Sequence, residues 1–292
     1  MYINQNDNDE EVMKDENTGQ ISRDYRKHHR LCPGNELSRY EHRSYLRNID
    51  MNPNFSGARI MKNSLVTAMA IVIFACGAPS QTHINKGHHI GDEVTHQGSL
   101  RSVNGSITVG NSSTIQGNCS TVNGEINIGE SSSVEEVSCV NGSIYIDRNS
   151  QAQDVSCVNG SIKLGSGVTI AEDVSTVNGS IRCGIDTRVS GDLETVNGDM
   201  VTEGSSITGN ISTVNGDIDL IEGSVVSGNI VIDRDRRKPA KKPFKELTIT
   251  INSNSIVEGD IEVKGDEPNV TVVLAGGGEV RGEIINARIV RK

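Results

Sequence analysis

Cysteine thiols and carboxylates are the side chains through which this chain could do chemistry. Cys139 and Cys157 lie in two copies of the same Cys-Val-Asn-Gly sequence, so they could form a disulfide or remain two buried thiols. Asp199, Asp217 and Asp219 are the only notable acidic stack, and their columns hold Ser, Glu, Thr, Tyr and Lys in other repeats, which favours a solvated face over a catalytic site. The sequence has no phosphate-binding loop and no nucleophile motif. We therefore expect no enzymatic activity, no cofactor and no metal.

Histidine is concentrated in one short stretch, residues 76–98. Four of the seven histidines lie there with two acidic residues: His83, His88, His89, His96, Asp92 and Glu93. Such groups could bind a divalent metal ion, but their spacing matches no compact ligand motif. The scattered polar composition is typical of a flexible linker. We expect residues 76–98 to form a solvated tether.

An apolar run from Leu65 to Ala75 follows Lys62 and ends at Cys76. It is too short to span a bilayer, which takes about 20 residues. A charged start, an apolar core and a small residue at the end are typical of a secretory signal peptide, here residues 61–75. The sequence Ile73-Phe74-Ala75-Cys76 resembles the bacterial lipobox. This resemblance implies cleavage before Cys76, lipidation of its thiol and attachment to a membrane.

Residues 1–60 precede this signal and are polar, with no sustained apolar period. Because a signal peptide should not lie 60 residues inside a chain, the simplest interpretation is that translation starts at Met61 or Met51. The upstream segment would then be a gene-start artefact. The alternative is a disordered cytoplasmic extension on an uncleaved anchor. Gly77 follows the lipid site, and by resemblance to lipoprotein sorting this favours the outer membrane of a two-membrane bacterium.

The composition favours a turn-rich β protein. The 292 residues include 31 Gly and no Trp, and 3% are aromatic. Few aromatic residues make an ordinary close-packed globule difficult to build, and frequent Gly indicates frequent turns. The formal charge of −10 argues against nucleic acid as a partner, because phosphate binding needs a basic surface.

From Leu100 onward the sequence repeats. A Val-Asn-Gly core recurs seven times at intervals of 18 or 19 residues, with its asparagines at Asn104, Asn123, Asn141, Asn159, Asn178, Asn197 and Asn215. Alignment on Asn gives apolar columns, such as Ile107, Ile126, Ile144, Ile162 and Ile181 three residues later. Polar residues separate the columns, which indicates short strands joined by turns.

One 18-residue unit of short strands cannot bury its own apolar side, so the copies must stack. We predict an all-β fold, a single-stranded parallel β-helix or β-solenoid over residues 99–292, in which each repeat forms one coil. The seven asparagines would form a hydrogen-bonded ladder at a corner, and the following Gly would supply a positive φ. Since Asn-Gly also favours hairpins, a meander of antiparallel hairpins is the rival architecture.

The pattern breaks at residues 233–246, where two prolines predict a loop that projects from the solenoid. This segment has a net charge of 7 − 3 = +4. Its cations could contact an anionic lipid or polysaccharide, or they could simply be solvated. They are Arg234, Arg236, Arg237, Lys238, Lys241, Lys242 and Lys245.

A second motif, Gly-(Asp/Asn/Glu)-Ile, appears at Gly209-Asn210-Ile211, Gly228-Asn229-Ile230, Gly259-Asp260-Ile261 and Gly282-Glu283-Ile284. With the β-branched residue that precedes each copy, it resembles the polymer-forming bactofilin family over about residues 100–290. The resemblance implies a right-handed β-helix that assembles end to end, whereas the spacing of six between Val103, Val109 and Ile115 is that of left-handed hexapeptide helices. Members of that family are typically cytoplasmic, whereas this chain resembles a lipoprotein, so fold transfers better than function.

Two classes of function follow. The first is a lipid-anchored structural protein of the envelope that associates with itself through the solenoid ends, because no capping helix is evident at either end. The second is a monomeric module that displays or binds an envelope polymer or an anionic ligand.

Overall fold

The computed structural model describes residues 80–234, 245–265 and 269–292, and these contain strands and turns but no helix. Residues 80–170 form five coils with the strands β1 (Ser80–His83), β2 (His88–Ile90), β3 (Thr95–Gln97), β4 (Ser99–Asn104), β5 (Ile107–Val109), β6 (Thr114–Gln116), β7 (Cys119–Asn123), β8 (Ile126–Ile128), β9 (Glu136–Asn141), β10 (Ile144–Ile146), β11 (Gln151–Ala152), β12 (Asp154–Asn159), β13 (Ile162–Leu164) and β14 (Thr169–Ile170).

Five further coils and part of another complete the solenoid. Their strands are β15 (Val174–Asn178), β16 (Ile181–Cys183), β17 (Arg188–Val189), β18 (Leu193–Asn197), β19 (Met200–Glu203), β20 (Ser206–Ile207), β21 (Ile211–Thr213), β22 (Ile218–Ile221), β23 (Val225–Val226), β24 (Ile230–Asp233), β25 (Leu247–Ile251), β26 (Ile256–Val257), β27 (Ile261–Lys264), β28 (Val270–Leu274), β29 (Glu279–Val280), β30 (Ile284–Ile285) and β31 (Arg288–Arg291).

The strands form three parallel sheets along the solenoid, one on each side of the coil. Sheet A contains the first strand of every coil, from β1 to β30, and sheet B contains the second, from β2 to β31. Sheet C contains the third strand of the coils and has two parts, the pair β3 and β6 and the seven strands from β11 to β29. Single bridges from Ser133 to Thr114 and to Gln151 connect the two parts. Every strand pair is parallel, so the prediction of a parallel β-solenoid is confirmed and the antiparallel meander is wrong.

The registers place like residues above one another. Ile144 pairs with Ile126 on one side and with Ile162 on the other. All three side chains are completely buried, because alternate strand residues point into the solenoid. The predicted Ile column is therefore a continuous row of the core.

Residues 80–98 are not the predicted tether. They form coil 1, in which β1 pairs with β4, β2 with β5 and β3 with β6. The expectation failed because this coil lacks Val-Asn-Gly and carries polar residues at inward positions, so its composition resembles a linker. It covers the N-terminal end of the solenoid, where the sequence predicted no cap.

A second apolar cluster lies outside the core, on the outer face of sheet A. Val158, Val177 and Val196 are 6%, 1% and 5% exposed, and Val140 and Val214 pack against them. These are valines of the Val-Asn-Gly motif. Each valine points outward because the residue before it belongs to the inward row, and successive residues of a strand point to opposite faces.

Among the described residues, no helix is long and apolar enough to cross a membrane.

Candidate functional site

The corner between sheets A and B carries a continuous asparagine ladder. Each amide Nδ2 donates to Oδ1 of the asparagine in the preceding coil, over 2.8 Å from Asn123 to Asn104 and 2.9 Å from Asn159 to Asn141. The chain of bonds includes all seven predicted asparagines and extends to Asn85 in coil 1. Asn85 lies outside the Val-Asn-Gly motif, so the motif alone could not reveal it.

The glycine after each asparagine is required chiefly for close approach between coils. A Cβ built on Gly160 would overlap the carbonyl oxygen of Gly142, and most other glycines of this column have the same relation to the preceding coil. Only Gly142, Gly198 and Gly216 have a positive φ, of 151°, 157° and 155°. The predicted reason, a positive φ at every corner, is therefore wrong for four of the seven glycines.

Inward side chains two residues before the asparagines donate to backbone at this corner in six of the seven repeats, and the exception is Thr213, whose hydroxyl is buried without a partner. Thr176 Oγ1 lies 3.0 Å from the carbonyl oxygen of Gly160, and Thr195 Oγ1 lies 3.1 Å from that of Gly179. Cys157 Sγ makes the same contact with Gly142 at 3.2 Å. This column therefore selects a small buried donor, whether hydroxyl or thiol.

Of the two alternatives for Cys139 and Cys157, the structure has the buried thiols and not the disulfide. They occupy adjacent coils in register, and each thiol is directed at a glycine carbonyl rather than joined to the other sulfur. A hydrogen bond with Cys157 and burial together raise the pKa of the Cys139 thiol. Burial also raises the pKa of Cys119 and of Cys183 to about 12. The thiols of Cys119, Cys139 and Cys183 are therefore protonated at neutral pH and unsuited to nucleophilic chemistry, whereas the hydrogen bond with Cys139 lowers the pKa of Cys157.

Two further ladders were not anticipated. Buried serines follow the turn after sheet B: Ser132 Oγ donates to the Gly110 carbonyl at 2.8 Å and accepts from the Ser113 amide at 3.1 Å. The alternation signal hides this column, because serine appears both inside and outside the coils.

The other ladder explains the Gly-(Asp/Asn)-Ile motif. Asp192 Oδ1 accepts a hydrogen bond from the backbone N–H of Asn210 at 2.7 Å, and Asn210 Oδ1 accepts one from the backbone N–H of Asn229 at 2.9 Å. The same contact continues from Asn229 to Asp260. The motif therefore closes the corner between sheets C and A, and it is a structural element of the coil.

Carboxylates line one edge of sheet A. Glu136 and Asp154 are paired in register, and Asp173 is adjacent in the next coil. Burial and the neighbouring carboxylates, chiefly Glu136, raise the pKa of Asp154 to about 8. The described residues contain no group of three or more side chains arranged to hold a metal ion.

Two of the three acidic residues noted in the sequence, Asp199 and Asp217, accept backbone hydrogen bonds from the following coil. Asp199 Oδ1 accepts the Asp217 amide at 2.9 Å, and Asp217 Oδ1 accepts the Thr248 amide at 2.7 Å. These contacts join successive coils at the corner between sheets A and B.

The basic segment is only partly described. Arg234 is 2% exposed, and its guanidinium donates to the carbonyl oxygens of Val214 at 3.1 Å and Lys245 at 3.0 Å. It is therefore a buried structural residue rather than an exposed anion contact, whereas Lys245 is exposed. The other predicted cations, Arg236, Arg237, Lys238, Lys241 and Lys242, lie outside the described residues, as does Cys76.

An exposed row on the outer face of sheet B combines an aromatic ring with two cations. Tyr145 pairs in register with Lys163, which pairs with Arg182, and all three side chains are exposed.

Comparison with protein-family models, curated proteins and solved structures finds no match for this chain. The resemblance to bactofilins and the handedness of the helix therefore stay predictions.

Proposed function

We propose that this chain is a lipid-anchored structural protein of the bacterial envelope whose solenoids associate end to end. The observation that carries the proposal is the state of the C-terminal coil. Ile289 is 41% exposed, although it continues an inward row in which Val272 and Ile249 are completely buried. Ile289 lies on β31, the last strand of sheet B, and an edge strand with an exposed apolar side chain favours pairing with another coil.

The membrane attachment is supported by the sequence that ends at Cys76. Mass spectrometry of the protein purified from membranes should show a chain that begins at a lipid-modified Cys76. In detergent phase separation this protein should enter the detergent phase. The Cys76→Ser variant should keep the preceding segment and carry no lipid, and a wild-type product that retains residues 1–60 would contradict the anchor.

End-to-end association can be tested by electron microscopy of the full chain in detergent. We expect rods whose lengths are multiples of one solenoid. Ile289→Lys should give single rods, because it places a charge on the uncovered row. Ile185→Lys is the matched control, since Ile185 is 52% exposed but lies midway along the solenoid. Single rods from the wild-type chain at high micromolar concentration would overturn the assembly.

A second function is favoured by the row of Tyr145, Lys163 and Arg182. A flat aromatic and cationic row suits an acidic envelope polymer, which can run along the solenoid and contact successive coils. Binding of an acidic polysaccharide should weaken in Lys163→Glu and Arg182→Glu and at high salt. Single wild-type rods that bind the polymer would favour this display module over the scaffold.

A further inference from the structure

Three histidines occupy inward positions in coil 1. His83 pairs in register with Ser102, His88 with Ile107 and His96 with Ile115. Ile107 and Ile115 are buried core residues, with 0% and 2% exposure. The imidazoles of His88 and His96 therefore continue two apolar rows at the N-terminal end of the solenoid. The imidazole of His83 continues the row of Ser102.

The rings are packed together rather than solvated. The centroids of His83 and His88 are 4.1 Å apart and the ring planes differ by 4°. His88 is 5% exposed, and its Nε2 lies 2.9 Å from the carbonyl oxygen of Arg101. Nδ1 of His83 and Nε2 of His96 are buried without a hydrogen-bond partner. A proton added to His88 would place a charge in a buried position against a stacked ring, which is costly.

The backbone carbonyls of Arg101 and Gln81 favour a charged His88, but burial opposes the charge more strongly. Burial lowers the pKa of His88, and the nearby His83 and His96 lower it further as like charges. Around this group the charged residues are the outward Arg101 on β4, Lys86 before β2, and Asp92 and Glu93 after it, while β5 contributes none. Asp92 Oδ1 accepts the Asn111 amide at 2.7 Å, and Glu93 is exposed.

We propose that coil 1 is an acid-sensitive cap, held closed by a neutral His88 that stacks on His83, and opened when His88 is protonated. Opening would uncover Leu100, Ile107 and the free edges of β4 and β5. An unfolded histidine titrates near pH 6.5, whereas His88 in the closed coil titrates lower. Because the open coil then binds more protons, the stability of the cap is lost as the pH falls below about 6.5.

This inference depends on neither the lipid anchor nor assembly, and hydrogen exchange measured by mass spectrometry on the full chain in detergent can test it. Exchange should be compared at about pH 7 and pH 5, with correction for the intrinsic rate. We expect the protection of residues 80–97 to fall about tenfold or more at the lower pH, because the open coil binds a proton that the closed coil disfavours. The protection of strands β21 to β26, which lie away from both His88 and Asp154, should change little.

Two substitutions separate the buried histidine from an exposed neighbour. His88→Leu should keep coil 1 protected at both pH values, because leucine suits the row of Ile107. His89→Leu should retain the wild-type loss, since His89 is exposed on the opposite face of the strand. Equal protection of wild-type coil 1 at both pH values would overturn the proposal.

If His88→Leu leaves coil 1 unprotected at every pH, an NMR titration of the wild-type imidazoles decides instead. A His88 that titrates below the unfolded value, together with loss of the coil 1 signals, supports the cap. Independent titration near pH 6.5 with coil 1 intact refutes it.

Discussion

Ile162 lies directly above Ile144 in the adjacent coil, and neither side chain has any exposed surface. Replacement of Ile162 by Asp would place a carboxylate in this apolar row. We expect the free energy of unfolding to fall by about 4 kcal/mol or more, because a buried charge without a partner is costly. Lys163→Asp is the matched control on the outward face, where the change should be within about 1 kcal/mol. Equal urea midpoints for the two variants would contradict the inward assignment.

The glycine column predicts a strong effect from a single methyl group. Gly160→Ala should lower stability by about 2 kcal/mol or more, because its Cβ would overlap the backbone of Gly142. Gly91→Ala is the control, since the space there is open apart from Val94. Thermal unfolding monitored by circular dichroism will show whether only the corner glycine is intolerant.

The thiol at position 157 should be replaceable by a donor and poorly replaceable by an apolar group. Cys157→Thr should keep a melting temperature near that of the wild type, because Thr176 makes the equivalent contact in the next coil. Cys157→Val removes the donor to Gly142 and should cost about 1 kcal/mol. Valine and threonine variants of equal stability would show that this hydrogen bond contributes little.

The raised pKa of Asp154 predicts that stability falls as the pH rises. The folded carboxyl holds its proton up to about pH 8, whereas the unfolded one loses it near pH 4. The folded state therefore binds more protons in this range, and stability decreases from about pH 4 to pH 8. Asp154→Asn should raise the urea midpoint more at about pH 9 than at pH 5. Glu125→Gln, on the exposed corner, should raise it at neither pH.

Periodicity was sufficient for the core and the corner. Val-Asn-Gly gave the coil length, the Ile row and the seven asparagines, because each of these repeats at nearly constant spacing. It could not identify coil 1, where His88 and His96 replace isoleucine and Asn85 lies outside the motif. A one-dimensional pattern based on apolar residues excludes a coil whose inward side chains are polar.

The remaining errors come from residues whose role depends on contacts between coils. Arg234 belongs to a basic run in the sequence, yet backbone carbonyls surround its guanidinium. Val177 alternates correctly as an outward residue, yet it is 1% exposed. Alternation predicts which face of a strand a side chain lies on. Its burial also depends on contacts with other coils, which the sequence pattern does not show.

The asparagine ladder also gives the solenoid an electrical direction. Every amide donates toward the N-terminal coil, from Asn215 to Asn197 and finally from Asn104 to Asn85. The amide dipoles therefore point the same way and polarise one another, as peptide dipoles do along a helix. The positive pole lies toward coil 1 and the negative pole toward the later coils. Two solenoids in line have their dipoles aligned head to tail only when they run in the same direction, so the ladder opposes a joint between two like ends.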